Sequence, residues 1–169
     1  MEYRISVGNF DRKRHSRIIE QIGKAQSGTE KEPYFKNIAR YILSKEGFEK
    51  ITTGPSVSQF QGVPFDFIAM KKGSLSLIEL KGSMKTFNYS SEVQFARLYN
   101  VVKELKKRGI QTEIFLLQIN LNYFLYQLLN SGFYDIVFAR IDKTIGRKRS
   151  ILPIVDDLIK RMRKKRIKL

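Results

Sequence analysis

A chain of 169 residues is long enough to bury one core without staples and too short for two ordinary domains. It has no cysteine and a single histidine, His15, which excludes disulfide frameworks, zinc sites built from Cys and His, cysteine nucleophiles and histidine triads, and leaves carboxylates to carry any metal. Lys and Arg number 32 against 16 Asp and Glu, and a formal charge of +16 points to a polyanionic partner, nucleic acid foremost, because cations that neutralise phosphates release condensed counterions.

In chain order, DRKRHSRIIEQIGKAQ reads as a short basic helix ending near Gly28, with His15 as a solvated residue or phosphate neighbour rather than a catalyst. EPYFKNIARYILSKEGF places Phe35, Ile38, Ala39, Ile42 and Leu43 at helical spacing and stops at Gly47. FEKITT, VPFDFIAM and SLSLIEL are strand candidates, the last two joined by Lys71, Lys72 and Gly73 as a tight hairpin. In SSEVQFARLYNVVKELKKRG the residues Val93, Ala96, Leu98, Val101, Val102 and Leu105 form one apolar helical face, ended by Gly109. TEIFLLQI follows as a buried strand, LNYFLYQLLNSG as a short helix, YDIVFARI as another strand, and a last helix from about Pro153 runs into RMRKKRIKL.

The long helix between the third and fourth strands implies a crossover, so the expected class is α/β, a mixed central sheet with helices on its faces. The expected organisation is a basic helical extension over 1–29, a core over 30–150 and a basic helix or tail over 151–169. The longest apolar stretch, IFLLQINLNYFLYQLL, is interrupted by Gln118, Asn120, Asn122 and Gln127, and no basic flank with an apolar signal core stands near the start. A soluble, cytoplasmic protein without a membrane partner is the expectation.

Chemistry concentrates in the hairpin. Side chains alternate across a strand, so Glu79 and Lys81 project from one face, with Asp66 on the adjoining strand. Two carboxylates held together repel unless a cation joins them, and carboxylates favour a hard ion such as magnesium or manganese. Such an ion polarises a phosphate oxygen and activates a bound water, while Lys81 orients that water or stabilises charge on phosphorus. Glu-x-Lys occurs twice: Glu104-Leu105-Lys106 lies in a helical segment with no upstream acidic strand and reads as a solvated helix surface. The first copy has strand-like flanks and a preceding acidic strand, and buried Asp and Glu are rare without partners.

Pro64-Phe65-Asp66, with Glu79-Leu80-Lys81 beginning thirteen residues after Asp66, resembles the PD-(D/E)xK nuclease superfamily, the restriction-endonuclease-like fold. The resemblance implies Asp66 and Glu79 as metal ligands, the carbonyl of Leu80 as a further ligand, Lys81 as the catalytic lysine, and Mg2+ as cofactor with Mn2+ able to substitute. Members carry an acidic residue early in the first core helix, which points to Glu32. Its alternative is a Thr29-x-x-Glu32 cap with Pro33 marking the helix start, and Glu30 is the neighbouring choice for the acidic role. Gln94 stands where several branches place a glutamine facing the site; a solvated helix glutamine is the plain alternative.

Small size, IELKGS and the basic balance are most similar to archaeal Holliday-junction resolvases, which implies branched or duplex DNA and a second copy of the chain as partners. A restriction-type, virus-encoded or RNA-directed nuclease remains open, and so does a non-catalytic basic nucleic-acid-binding protein. Nucleic-acid contacts are expected at Lys71 and Lys72, at Lys85 in KGSMKTFNYSS, and at Arg147, Lys148, Arg149, Arg163, Lys164, Lys165 and Arg166. Residues 143–169 hold 11 Lys or Arg against Asp156 and Asp157; a solvated tail is the other reading of that stretch. Ser83, Thr86, Tyr89 and GPSVSQFQG are either phosphate-contacting loops or ordinary connections. No Walker loop or dinucleotide fingerprint is present, so no nucleotide cofactor is implied.

Overall fold

The computed structural model describes residues 3–8, 12–54, 65–82, 89–119 and 124–129, together with 155, 156, 158–160 and 163. They build β1 (Tyr3–Gly8), α1 (Arg12–Lys24), α2 (Gly28–Lys45), β2 (Glu49–Thr53), β3 (Phe67–Lys71), β4 (Ser74–Lys81), α3 (Tyr89–Lys107), β5 (Thr112–Ile119) and β6 (Phe124–Leu129). The protein is mixed α/β, with a six-stranded sheet in the order β1-β6-β5-β4-β3-β2. β4 and β5 run parallel and every other pair is antiparallel, as expected of a crossover through α3.

Both faces of the sheet are covered over β3, β4 and β5, and the alternation of these strands shows why. Ile68, Leu75, Leu77, Ile114 and Leu116 point to one face, under Phe95, Leu98, Val101, Val102 and Leu105 of α3 and under Val155 and Leu158 of a C-terminal helical stretch. Phe67, Ala69, Ile78, Phe115, Leu117 and Ile119 point to the other, under Ile38, Ala39, Ile42 and Leu43 of α2 and Ile22 of α1. Period two in the strands meets period 3.6 in the helices, and β3, β4 and β5 become a central layer buried on both sides. The β3–β4 hairpin closes through Lys72 and Gly73, both at positive φ (49° and 79°), a turn whose twist suits two right-twisted strands. Among the described residues no helix is long and apolar enough to cross a membrane.

Four expectations change. LNYFLYQLLNSG is not a helix where it is described: Phe124–Leu129 forms β6, because its apolar run fills the place between β1 and β5. β1 adds an edge strand ahead of α1. α1 ends at Lys24 rather than near Gly28, which instead begins α2, so the expected boundary after residue 29 falls inside that helix. His15 is not solvated but 3% exposed, its ring edge-on to Tyr41 of α2 at 4.8 Å. YDIVFARI lies outside the described residues. Val155, Asp156, Leu158, Ile159, Lys160 and Arg163 are helical, within the stretch expected to be the last helix.

Candidate active site

Glu79 and Lys81 close β4 on the face that carries Leu75 and Leu77, beneath α3. Asp66 stands one residue ahead of β3, and the register Phe67↔Ile78, continued by one residue, sets it across from Glu79. The backbone locks this placement: the Asp66 amide donates to the Ile78 carbonyl (2.9 Å), and the Asp66 carbonyl accepts from the Gly54 amide (2.8 Å). The Leu80 amide donates to Asp66 Oδ2 at 2.8 Å, which fixes one carboxylate oxygen between the two residues of the Glu-x-Lys pair. A Cβ on Gly54 would lie 2.3 Å from the Phe65 carbonyl oxygen, so only glycine lets the chain after β2 approach Asp66 this closely.

Glu79 is 4% exposed. Lys81 Nζ lies 2.9 Å from its Oε1 and donates to Gln94 Oε1 of α3 at 3.2 Å, whereas Glu79 Oε2 is buried without a hydrogen-bond partner. Burial and then the Asp66 charge push the Glu79 carboxyl up from its ordinary 4.5 to about 8, outweighing the opposite pull of Lys81 and Gln94. On the far side of the pair, Lys36 Nζ of α2 sits 3.3 Å from Asp66 Oδ1 and 2.6 Å from Glu32 Oε1. Burial acts to lower the Lys36 pKa, but bonding to Glu32 and the charge of Asp66 carry the net direction upward.

The structure brings together Asp66, Glu79, Lys81 and Gln94. Among the described residues Glu32 is linked to this group through Lys36, and its side chain is 54% exposed. It is no capping residue: the N-cap is Ser27, whose side chain accepts from the Glu30 amide, while Glu30 Oε2 accepts from the Gln26 amide at 2.8 Å. The capping pair is therefore Ser27-x-x-Glu30, two residues earlier than expected, and Pro33 lies inside α2. Leu80 turns to the α2 face. Lys71 is at the opposite end of β3, its Nζ 4.4 Å from the centre of the Phe48 ring, and Lys72 is exposed in the turn. Arg163 lines a cleft of about 610 Å3 with Arg108, Lys160 and Asp156, at the far end of α3 from Gln94. Ser83, Lys85, Thr86, Arg147, Lys148, Arg149, Lys164, Lys165, Arg166 and residues 55–62 of GPSVSQFQG lie outside the described residues; Tyr89 begins α3.

Lys36 is the participant that sequence reasoning passed over. Its pairing with Glu32 four residues earlier is visible in the sequence as an i,i+4 ion pair. Its approach to Asp66, thirty positions on, depends on how α2 lies against the sheet. Ile38, Ala39, Ile42 and Leu43 seat the helix on the sheet, and Phe35 packs beside them, close enough to Gly82 that a Cβ there would fall 3.0 Å from its ring.

As a seat for a divalent cation, Glu79 Oε2 fits: it is a buried carboxylate oxygen with no partner, across from a second carboxylate. Among the described residues no three carboxylate or histidine side chains gather to hold an ion. Magnesium keeps several waters and needs only one or two carboxylates with substrate phosphate oxygens, so the pair suffices. Compared with known proteins, the chain matches no protein-family model and no curated protein.

Proposed function

We propose that this protein is a metal-dependent endonuclease of the PD-(D/E)xK kind, built on a restriction-endonuclease-like core and hydrolysing DNA phosphodiester bonds. The observation that carries the reading is the partnerless, buried oxygen of Glu79 opposite Asp66, with Lys81 at the other oxygen. Asp66 and Glu79 would hold Mg2+, or Mn2+ in its place, and a cation so bound polarises a phosphate oxygen and lowers the pKa of a bound water. The Leu80 amide keeps Asp66 oriented. Lys81, held by Gln94, presents a positive charge beside the carboxylates, where charge accumulates on phosphorus during hydrolysis. Its ammonium also keeps Glu79 Oε1 occupied and leaves Oε2 without a partner. The net charge of +16 gathers the polyanion, and the resolvase-like reading adds branched DNA as substrate and a second copy of the chain for paired cuts.

One observation favours a second reading, a nucleic-acid-binding protein without catalysis: each carboxylate already has a lysine of its own, Lys36 on Asp66 and Lys81 on Glu79, as in a structural ion cluster. Cleavage of a labelled four-way junction, a linear duplex and a single strand, with Mg2+, Mn2+ or chelator, separates the two. The nuclease reading expects cutting only with metal, and the preferred DNA names the substrate class. Tight binding with no cutting under any metal favours the ion cluster, and cutting of an RNA equivalent alone moves the substrate to RNA.

A further inference from the structure

We propose that Lys36 is a built-in competitor for the divalent cation at Asp66, and that Glu32 is the acceptor that receives Lys36 when the cation binds. This rests on the reading of Asp66 and Glu79 as a cation site.

The register sets Asp66 across from Glu79, and three of their four carboxylate oxygens are occupied. Asp66 Oδ2 takes the Leu80 amide at 2.8 Å, Asp66 Oδ1 takes Lys36 at 3.3 Å, and Glu79 Oε1 takes Lys81 at 2.9 Å. Glu79 Oε2 alone has no partner. A cation entering at Oε2 and reaching across to Asp66 meets the Lys36 ammonium at Oδ1, the oxygen the Leu80 amide does not hold, and two positive charges on one carboxylate oxygen repel strongly in a half-buried setting. Lys36 has somewhere to go. Glu32 Oε1 lies 2.6 Å from the same Nζ, the shorter of its two contacts, and its side chain is exposed enough to follow a small movement. Phe35, its neighbour on α2, packs close to Gly82, where an added Cβ would fall 3.0 Å from its ring. Glu32 thereby acts on the site without being a ligand, in accord with the absence of a three-acid cluster among the described residues.

The competition sets the cation concentration at which the site loads, and it predicts a gain from a deletion. The test is Mn2+ binding to the full chain without DNA, followed by the spin-resonance signal of free Mn2+, with a thermal melt on each variant. Wild type is compared with Lys36→Met, which keeps the apolar stem, with Lys36→Gln and Lys36→Arg, and with Glu32→Gln and Glu79→Ala. Lys36→Met and Lys36→Gln should bind Mn2+ about tenfold more tightly than wild type, as loss of a close like charge demands. Lys36→Arg should stay with wild type, Glu32→Gln should bind more weakly, and Glu79→Ala should lose the site. A general packing defect weakens binding, so a gain identifies competition.

If binding depends on Glu79 but Lys36→Met and Lys36→Gln equal or fall below wild type, the cation site stands and the competition is overturned. If neither wild type nor the Lys36 variants bind Mn2+ in a Glu79-dependent way, the cation site itself is refuted and the competition with it.

Discussion

The chain contains the same tripeptide pattern twice, and the two copies behave differently. In Glu79-Leu80-Lys81, on a strand, the two charged side chains share a face, Lys81 lies 2.9 Å from Glu79, and the glutamate is buried across from Asp66. In Glu104-Leu105-Lys106, on α3, residues two apart diverge: Glu104 bonds Lys107 at 2.7 Å, Leu105 is buried in the core, and Lys106 is exposed. The helical copy is the solvated surface expected of it. A buried glutamate with its lysine on the same face is a setting that period two creates and period 3.6 does not.

Breaking the first copy should have the largest effect. Glu79→Ala is expected to lower metal-dependent cleavage by at least about a hundredfold, the scale of removing one preorganised charge from a reacting centre, whereas Glu104→Ala leaves it unchanged; initial rates on a labelled duplex or junction check both. The second consequence is a pH dependence of metal-free stability. Folded Glu79 keeps its proton up to about 8 while the unfolded chain releases it near 4.5. Between those values the folded state binds more protons, so stability falls as pH rises, by at most about 1.4 kcal/mol per pH unit. The loss is absent below the window and complete above it, and Glu79→Gln should flatten it in melts recorded in chelator.

A smaller change tests the setting without touching the pair. Gly54→Ala drives a Cβ into the Phe65 carbonyl, so it should cost about 1–3 kcal/mol of stability and reduce cleavage by displacing Asp66, as denaturant titration and rates will read. The smallest effect belongs to the helical copy. Lys107→Met removes an exposed i,i+3 pair worth about 0.2–0.5 kcal/mol and should shift the melting temperature slightly, with no change in cleavage.

Much of this was legible because periodicity and hydrophobicity agree. Ile38, Ala39, Ile42 and Leu43 mark the buried face of α2, and Ala96, Leu98, Val101, Val102 and Leu105 that of α3, as their spacing says. Asp66, Glu79, Lys81 and Gln94 converge because a hairpin register and a crossover helix follow from local signals. LNYFLYQLLNSG misled because its run of apolar residues suits either period, and only the vacancy between β1 and β5 decides for β6. His15 misled because charged neighbours surround it in sequence, while its helical face, shared with Ile18 and Ile22, meets α2. Ser27 and Glu30 were hidden by an overlapping Thr29-x-x-Glu32 pattern. Lys36 was out of reach because no local rule says which turn of α2 stands over Asp66.

The most direct test of the account is cleavage and binding measured together on one labelled DNA, with Mg2+ and with chelator, for wild type, Glu79→Ala and Glu104→Ala. The account predicts that Glu79→Ala binds as wild type does and does not cut, while Glu104→Ala binds and cuts, and that chelator abolishes every cut. Metal-dependent cutting by Glu79→Ala at the wild-type rate would contradict it.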